Sequence, residues 1–339
     1  MNKREVLNIL TRSKVALDKS CSTLGADCAV VRNGKMYNTN ERLAIVQPFT
    51  SESFSVNGDA LLTAIRSIKG EDVDIVVSPK DIIVRGGKTR VKLIQTEEQI
   101  SSRIASIQPQ EPSWNKLPES FLKALDLVLV STIDKKLNGV FFNGEYIYSS
   151  DGWQINRILI DANFDPLWLS QKNVTDIMSF GALDEYTTEH SWLHMKKEDT
   201  FFSCRKLDHT GYPLPLLEKT IARFEDIEIV TINDSEVIFD LWESIKAAVN
   251  LTDTGKITLQ ISDGELFVDA ACASGEYSDI LDVAIESMPV FTVFAKKAID
   301  VLAKPGISSV SFRSNGSRKA MVASGVDYGI EWLSLLSAE

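Results

Sequence analysis

A short apolar strand running straight into an amphipathic helix occurs three times in this chain, and that repetition limits the fold more than any single motif. Phe54-Ser55-Val56 leads into Ala60, Leu61 and Ile65. Trp168-Leu169 leads into Val174, Ile177 and Met178. Phe291-Thr292-Val293 leads into Ala298, Ile299, Val301 and Leu302. Upstream of each copy stands a dipeptide that tolerates the positive φ angles of a tight hairpin: Asn33-Gly34, Asn143-Gly144 and Asp263-Gly264. The three glycines are spaced by 110 and 120 residues. Marks in register across 339 residues predict three copies of one domain, each large enough for its own core. Composition changes place the boundaries. Gln108 to Asn115 form a Pro- and Gln-rich connector, and a second break lies at Tyr212-Pro213-Leu214-Pro215 and the stretch after it. The expected domains are 1–115, 116–228 and 229–339.

Each third opens on helical periodicity, with Val6, Leu7, Leu10 and Leu17 in the first, Phe121, Leu122, Leu125, Val128 and Leu129 in the second, and Val237, Ile238, Leu241, Ile245, Ala248 and Val249 in the third. With the three strand-linked helices, the spacing predicts six: 3–19, 58–69, 118–136, 170–180, 235–250 and 295–304. Strands follow each opening helix around the Asn-Gly or Asp-Gly turn, and more strands close each third, rich in β-branched and aromatic residues between Gly, Asn, Asp and Lys. Strands outnumber helices, so the class is α+β.

No apolar run approaches the roughly 20 residues that span a bilayer, and Met1-Asn2-Lys3-Arg4-Glu5 is not a signal peptide. No membrane association is expected. Cys21, Cys28, Cys204 and Cys272 show no CxxC spacing, which reads as reduced thiols in a cytoplasmic protein. Chemistry-bearing motifs are scarce. Gly86-Gly87-Lys88-Thr89 has the tail of a phosphate loop, but Ile82 stands where the first glycine belongs and Arg90-Val91-Lys92-Leu93 alternates as a strand. His190 and His194 have metal-ligand spacing beside Glu189, but the segment reads as a strand and lacks a third ligand. No Gly-x-Ser-x-Gly elbow supports a nucleophile. No active site, cofactor or metal is expected.

Net charge is −11, which taken alone argues against nucleic acid. The thirds carry +3, −6 and −8, however, and the six predicted helices sum to +4 against −15 for everything else. One reading is that Lys and Arg are simply good helix formers. The other is that the helices share a surface facing a polyanion within an acidic body.

Short elements across all three thirds resemble the bacterial-type sliding clamp, the DNA polymerase III beta subunit family. They are Phe54-Ser55-Val56 through Ile65-Arg66, Gly86 through Leu93, Leu137-Asn138-Gly139-Val140, Ser150-Asp151-Gly152, Leu207 through Gly211-Tyr212-Pro213, and Ser274-Gly275-Glu276-Tyr277. The sequence departs from the family where Trp153-Gln154-Ile155 replace its usual His-Arg-Leu. It departs again at its end, Trp332 to Glu339, where the family usually has a Met-Pro-containing strand and a basic residue.

The resemblance implies three clamp-type domains in a non-enzymatic processivity factor. Its partners would be double-stranded DNA, a DNA polymerase and a clamp loader, and it would form a head-to-tail homodimeric ring with strands outside and helices lining the hole. It further implies DNA contacts from Lys14, Lys19, Arg66, Lys69, Lys123, Lys172, Lys296, Lys297 and Lys304. A partner-peptide groove would involve Leu137, Gly152, Trp153, Gln154, Ile155, Leu335 and Leu336. A ring joint would bring Val91 and Leu93 against Ala248 and Val249 of the other chain. The alternatives are a triplicated β-rich structural or assembly protein that does not encircle DNA, and an enzyme with an unrecognised site.

Overall fold

Apolar residues three and four apart become helices wherever one face can be buried. The computed structural model describes the chain apart from residues 22–24, 97–103, 105–106, 110–111, 130–136, 182, 226, 228–229, 253, 273–274 and 316–317. Gln110 and Glu111 of the connector, Ser274, and positions 130–136 of the third predicted helix lie outside the described residues. Among the described residues the α-helices are α1 (Lys3–Ser13), α2 (Gly58–Ser67), α3 (Phe121–Val128), α4 (Gln171–Phe180), α5 (Leu214–Glu225), α6 (Ser235–Ala248) and α7 (Ala295–Leu302). Side-chain caps mark several starts. Asn2 accepts from the amides of Arg4 and Glu5, Asn57 from Ala60, and Asp234 from Glu236 and Val237.

Helix α5 falls where the sequence reading placed part of a connector. Its two prolines suggested a break, but Pro213 precedes the helix and Pro215 sits in its first turn, where no intrahelical N–H is required. Leu217, Ile221 and Phe224 then recur at helical spacing and are buried.

The chain divides into two compact units, Met1–Leu122 with Lys172–Leu207, and Lys123–Gln171 with Asp208–Glu339. Strands of the middle third are therefore shared between the units.

In the first unit, an eight-stranded antiparallel sheet runs in the order Phe54–Asn57, Cys28–Arg32, Lys35–Thr39, Leu43–Pro48, Thr200–Arg205, Trp192–Lys197, Glu185–Glu189, Asn115–Lys116. The seam between the first and middle thirds pairs Phe201 with Val46 and Cys204 with Leu43. A three-stranded sheet joins Asp74–Val77, Asp81–Gly86 and Thr89–Ile94. Val6 and Leu10 of α1, Leu61, Leu62 and Ile65 of α2, and Ile75, Ile82 and Val84 of the smaller sheet share one core. A partly buried ion pair of Arg42 with Asp176, supported by Asn173 at 2.6 Å, ties the start of the Leu43–Pro48 strand to α4.

In the second unit, a six-stranded antiparallel sheet runs Val230–Ile232, Ile307–Asn315, Arg318–Asp327, Ile330–Ala338, Gln154–Leu169, Val140–Ser150. A four-stranded sheet runs Gly275–Asp282, Glu265–Cys272, Lys256–Ser262, Ser287–Phe294. Ile155, Leu335, Phe141, Trp168 and Tyr212 pack with Leu217, Ile221 and Phe224 of α5.

Two of the three expected turns have the geometry that the dipeptides favour, with φ of +52° and +77° at Asn33-Gly34 and +55° and +85° at Asp263-Gly264. The third does not. Asn143-Gly144 lies inside a strand that runs from Val140 to Ser150, and residues on both sides pair with Gln154–Leu169. Only Gly144 has positive φ there, and the pairing register shifts on either side of Gly144 and its partner Phe164. The glycine absorbs a register shift in the ladder, a bulge-like use of its freedom.

Candidate functional site

The nine basic residues proposed from sequence separate into two groups. Lys14, in the 3₁₀ turn after α1, Lys19, Arg66 in the last turn of α2, Lys69, Lys172 on α4 and Lys296 on α7 are exposed. Lys19 pairs with Asp59 at 3.2 Å across solvent-exposed side chains, a contact of little energy. Lys172 acts on Asp18, whose carboxyl lies below its ordinary range chiefly through hydrogen bonds from Ser20 and, to a smaller degree, through that lysine. Lys19 and Lys172 thus belong to one neighbourhood of the first unit. Arg4 and Arg12, also exposed, stand on α1. They were counted in the helix charge but not singled out, although both belong to the most basic predicted helix.

Three of the nine are engaged by partners within the second unit. The Lys304 ammonium donates to the Leu127 carbonyl at 2.7 Å and lies 5.4 Å from the Trp332 ring. Burial pushes it down to about 7, against the opposing pull of Asp126 and Asp300. Lys297 pairs with Asp151, whose side chain is nearly fully buried. Lys123 pairs with Asp327 at 3.2 Å and lies 5.7 Å from the Tyr328 ring. Helical position alone did not reveal these bonds, because each partner comes from a segment distant in sequence.

The groove residues are brought together, but most of them form the interior. Ile155 faces Leu335, and Gln154 faces Leu336, across adjacent strands. All four are buried, Ile155 and Leu335 in the core with α5. Their side chains thus belong to the interior, and the turn beside them is the open part of the expected groove. Gln154 donates to Asn156 at 3.0 Å. The turn at Asp151–Trp153 stays at the surface. Asp151 accepts from the amides of Trp153 and Gln154 at 2.9 and 2.8 Å, and Trp153 lies edge-on to Phe294 at 4.9 Å with half of its surface open. Gly152 lies near Leu137. Gly139 has φ +118°, and a side chain there would strike the Leu169 carbonyl, so Leu137-Asn138-Gly139 needs glycine at its last position.

The ring-joint residues also turn inward. Val91 and Leu93 pack against the first unit's core and Ala248 is fully buried, while Val249 is half-buried. Strand alternation is the reason: the neighbours of Val91 and Leu93 take the other face. Arg90, Lys92 and Ile94 are exposed there, Ile94 to 79%. The Thr89–Ile94 strand is an edge of its sheet, as is Gly275–Asp282, which exposes Glu276, Ser278, Ile280 and Asp282.

Of the histidines, His190 sits at a hairpin turn with φ +49°. His194 is buried 2.9 Å from the Ser203 hydroxyl, and burial lowers it to about 4. Among the described residues no cluster of three His, Cys, Asp or Glu side chains could hold a metal ion, and no helix is long and apolar enough to cross a membrane.

The class defined here is a whole-chain α+β clamp fold in which antiparallel sheets carry helices. Solved structures of that fold match along the full length. The DNA polymerase III subunit beta from Pseudomonas aeruginosa is similar with a TM-score of 0.81 and 15% identity, covering 100% of this chain and 98% of that one. The beta subunit from Thermotoga maritima gives 0.79 and 16% over the same shares. A sliding clamp from Pseudomonas aeruginosa bound to griselimycin gives 0.80 and 16%, again covering 100% and 98%. No protein-family model matches the chain, and no curated protein matches it in sequence.

Proposed function

We propose that this chain is a DNA sliding clamp, a non-catalytic processivity factor in the cytoplasm that encircles duplex DNA and tethers a DNA polymerase. The observation that carries the reading is the match in fold to sliding clamps over 100% of this chain and 98% of theirs. In this reading the chain comprises domains 1–115, 116–228 and 229–339, and two chains close head to tail into a ring that a clamp loader opens. Ring topology supplies retention, so attraction to DNA need only be weak and independent of sequence. Exposed Lys14, Lys19, Arg66, Lys69, Lys172 and Lys296, with Arg4 and Arg12, suit loose, salt-sensitive phosphate contacts.

The joint is assigned to the two sheet edges. Arg90, Lys92 and Ile94 on one edge are complementary to Glu276, Ile280 and Asp282 on the other. Closure by strand pairing would cover edges that otherwise invite aggregation. The partner peptide docks at the Leu137, Gly152 and Trp153 surface, next to the filled core.

Retention on circular but not linearised duplex is the test, with sedimentation of wild type and of Ile94→Asp with Ile280→Asp. Topology-dependent retention by wild type and a folded monomer from the double variant are expected. Equal loss from circular and linear DNA would instead favour a structural protein with this fold.

A further inference from the structure

The turn at Asp151–Trp153 is held from two sides. Toward the sheet, the Gly152 amide donates to the Ser150 hydroxyl at 3.1 Å, and the Trp153 carbonyl accepts from the Ser337 amide at 2.8 Å. On the other side, both contacts come from the start of α7. One Asp151 oxygen accepts from the amides of Trp153 and Gln154 at 2.9 and 2.8 Å, and the other pairs with the Lys297 ammonium. The Asp151 side chain is only 6% exposed, so keeping its charge in place depends on that partner. The Trp153 ring lies edge-on to Phe294 at 4.9 Å, and Phe294 is the residue from which α7 starts. Lys296 and Lys297 follow one another on α7 but diverge, because a helix turns by about 100° per residue. Lys296 is exposed while Lys297 reaches the turn. One short helix thus carries a cation assigned to DNA and the support of the surface assigned to partner docking.

We propose that Lys297 is a positioning residue of the partner-docking surface, and that through it the start of α7 links DNA engagement at Lys296 to the shape of the Trp153 turn. Asp151 orients two successive amides, so wherever its carboxylate sits, the turn follows. Lys297 fixes that carboxylate by a charge-assisted contact. Without the ammonium, the carboxylate gains by moving toward water and takes the two amides with it. Duplex that orders the first turn of α7 orders Lys297 and Phe294 as well, and both bear on the turn. Such a link is reciprocal, so a partner seated on Trp153 favours DNA engagement at α7 to the same degree. The link to DNA and partner presupposes the clamp function proposed above; the support of the turn by Lys297 does not.

The test has two arms, both on the full-length protein. The first follows hydrogen exchange without DNA. In Lys297→Met the amides of Trp153 and Gln154 should exchange faster than in wild type, by at least tenfold more than any change in the Lys256–Ser262 strand of the same unit. Lys297→Arg should restore slow exchange, and Lys296→Met should leave it as in wild type. A uniform change over both segments would make Lys297 a general stabiliser and overturn its positioning role, as would wild-type exchange in Lys297→Met. The second arm labels the protein with fluorotryptophan, identifies the Trp153 resonance with Trp153→Phe, and adds a duplex of two helical turns at low salt. Duplex should shift that resonance in wild type and Lys297→Arg but not in Lys297→Met. An unmoved resonance in wild type at saturating duplex, or an equal shift in Lys297→Met, would overturn the link. Retention on circular DNA is measured beside it. Without retention the clamp reading fails and the link to DNA with it, while the exchange comparison still decides the positioning role.

Discussion

Helices α1 and α2 in the first unit and α6 and α7 in the second are built alike and differ in the balance of charge they expose. In each pair the helices pack on one another, and the second helix starts directly from a strand, Phe54–Asn57 in one and Ser287–Phe294 in the other. The buried positions correspond in kind: Leu61, Leu62 and Ile65 in α2, and Ala298, Val301 and Leu302 in α7. The outward faces do not. The first pair and its flanks expose Arg4, Arg12, Lys14, Arg66 and Lys69 with Glu5, while the second exposes Glu236, Phe239, Asp240, Glu243 and Asp300 beside Lys246 and Lys296 and engages Lys297 and Lys304 in internal contacts. Core burial constrains only the inward stripe of a helix, so a repeated fold leaves the surface free to diverge. Two copies of one helix pair can therefore carry different surface charge.

The sharpest contrast is between a lysine that holds structure and one that faces solvent. Lys297→Met should leave the Asp151 carboxylate with only the Trp153 and Gln154 amides as partners and destabilise the protein by about 2 kcal/mol, measured by urea unfolding. Lys296→Met, one residue away and exposed, should cost nothing measurable. Equal stability of the two variants would erase the distinction. Next in size, Lys14→Glu, Arg66→Glu and Lys69→Glu together should weaken duplex binding by about 100-fold at moderate salt and lower the slope of log K against log salt by about three. An unchanged slope would remove the first pair from the DNA surface.

Lys304 gives a smaller, pH-dependent test. Its ammonium falls to about 7 in the folded protein from an ordinary 10.5. Between those values the unfolded chain binds more protons, so stability rises with pH from about 7 to about 10. Below 7 the buried charge is present in full. Lys304→Met should flatten that rise and leave the salt slope of DNA binding unchanged. If the rise persists in the variant, another group produces it. The smallest effect is expected from Asp240→Lys with Glu243→Lys, which makes the second pair resemble the first and should tighten duplex binding by about threefold. No change would mean that this face lies away from DNA.

The strand-to-helix repeat, the α+β class and the stretches that became α1, α2, α4, α6 and α7 were legible because burial imposes a period on sequence, and local periods survive without knowledge of the partner. The same reasoning missed α5, because Pro213 and Pro215 looked like a stop when they precede and enter a first turn. It also misplaced the turn at Asn143-Gly144, because a dipeptide that permits a hairpin equally permits a register shift when both flanks share one partner strand.

Site residues were legible only as residue types. Lys14, Lys19 and Lys69 are exposed just past helix ends and Arg66, Lys172 and Lys296 on helices, whereas the contacts of Lys123, Lys297 and Lys304 depend on Asp327, Asp151 and Leu127, each remote in the chain. Val91 and Leu93 illustrate the same limit. Alternation showed that one face of their strand is apolar, but not whether that face met its own core or another molecule. Sequence by itself determined the repeated units and their inward stripes, since apolar periodicity is a local consequence of burial. Tertiary structure alone decided which charges are paired, which apolar faces are covered and which sheet edges stay open, since those depend on contacts between segments that no local pattern encodes.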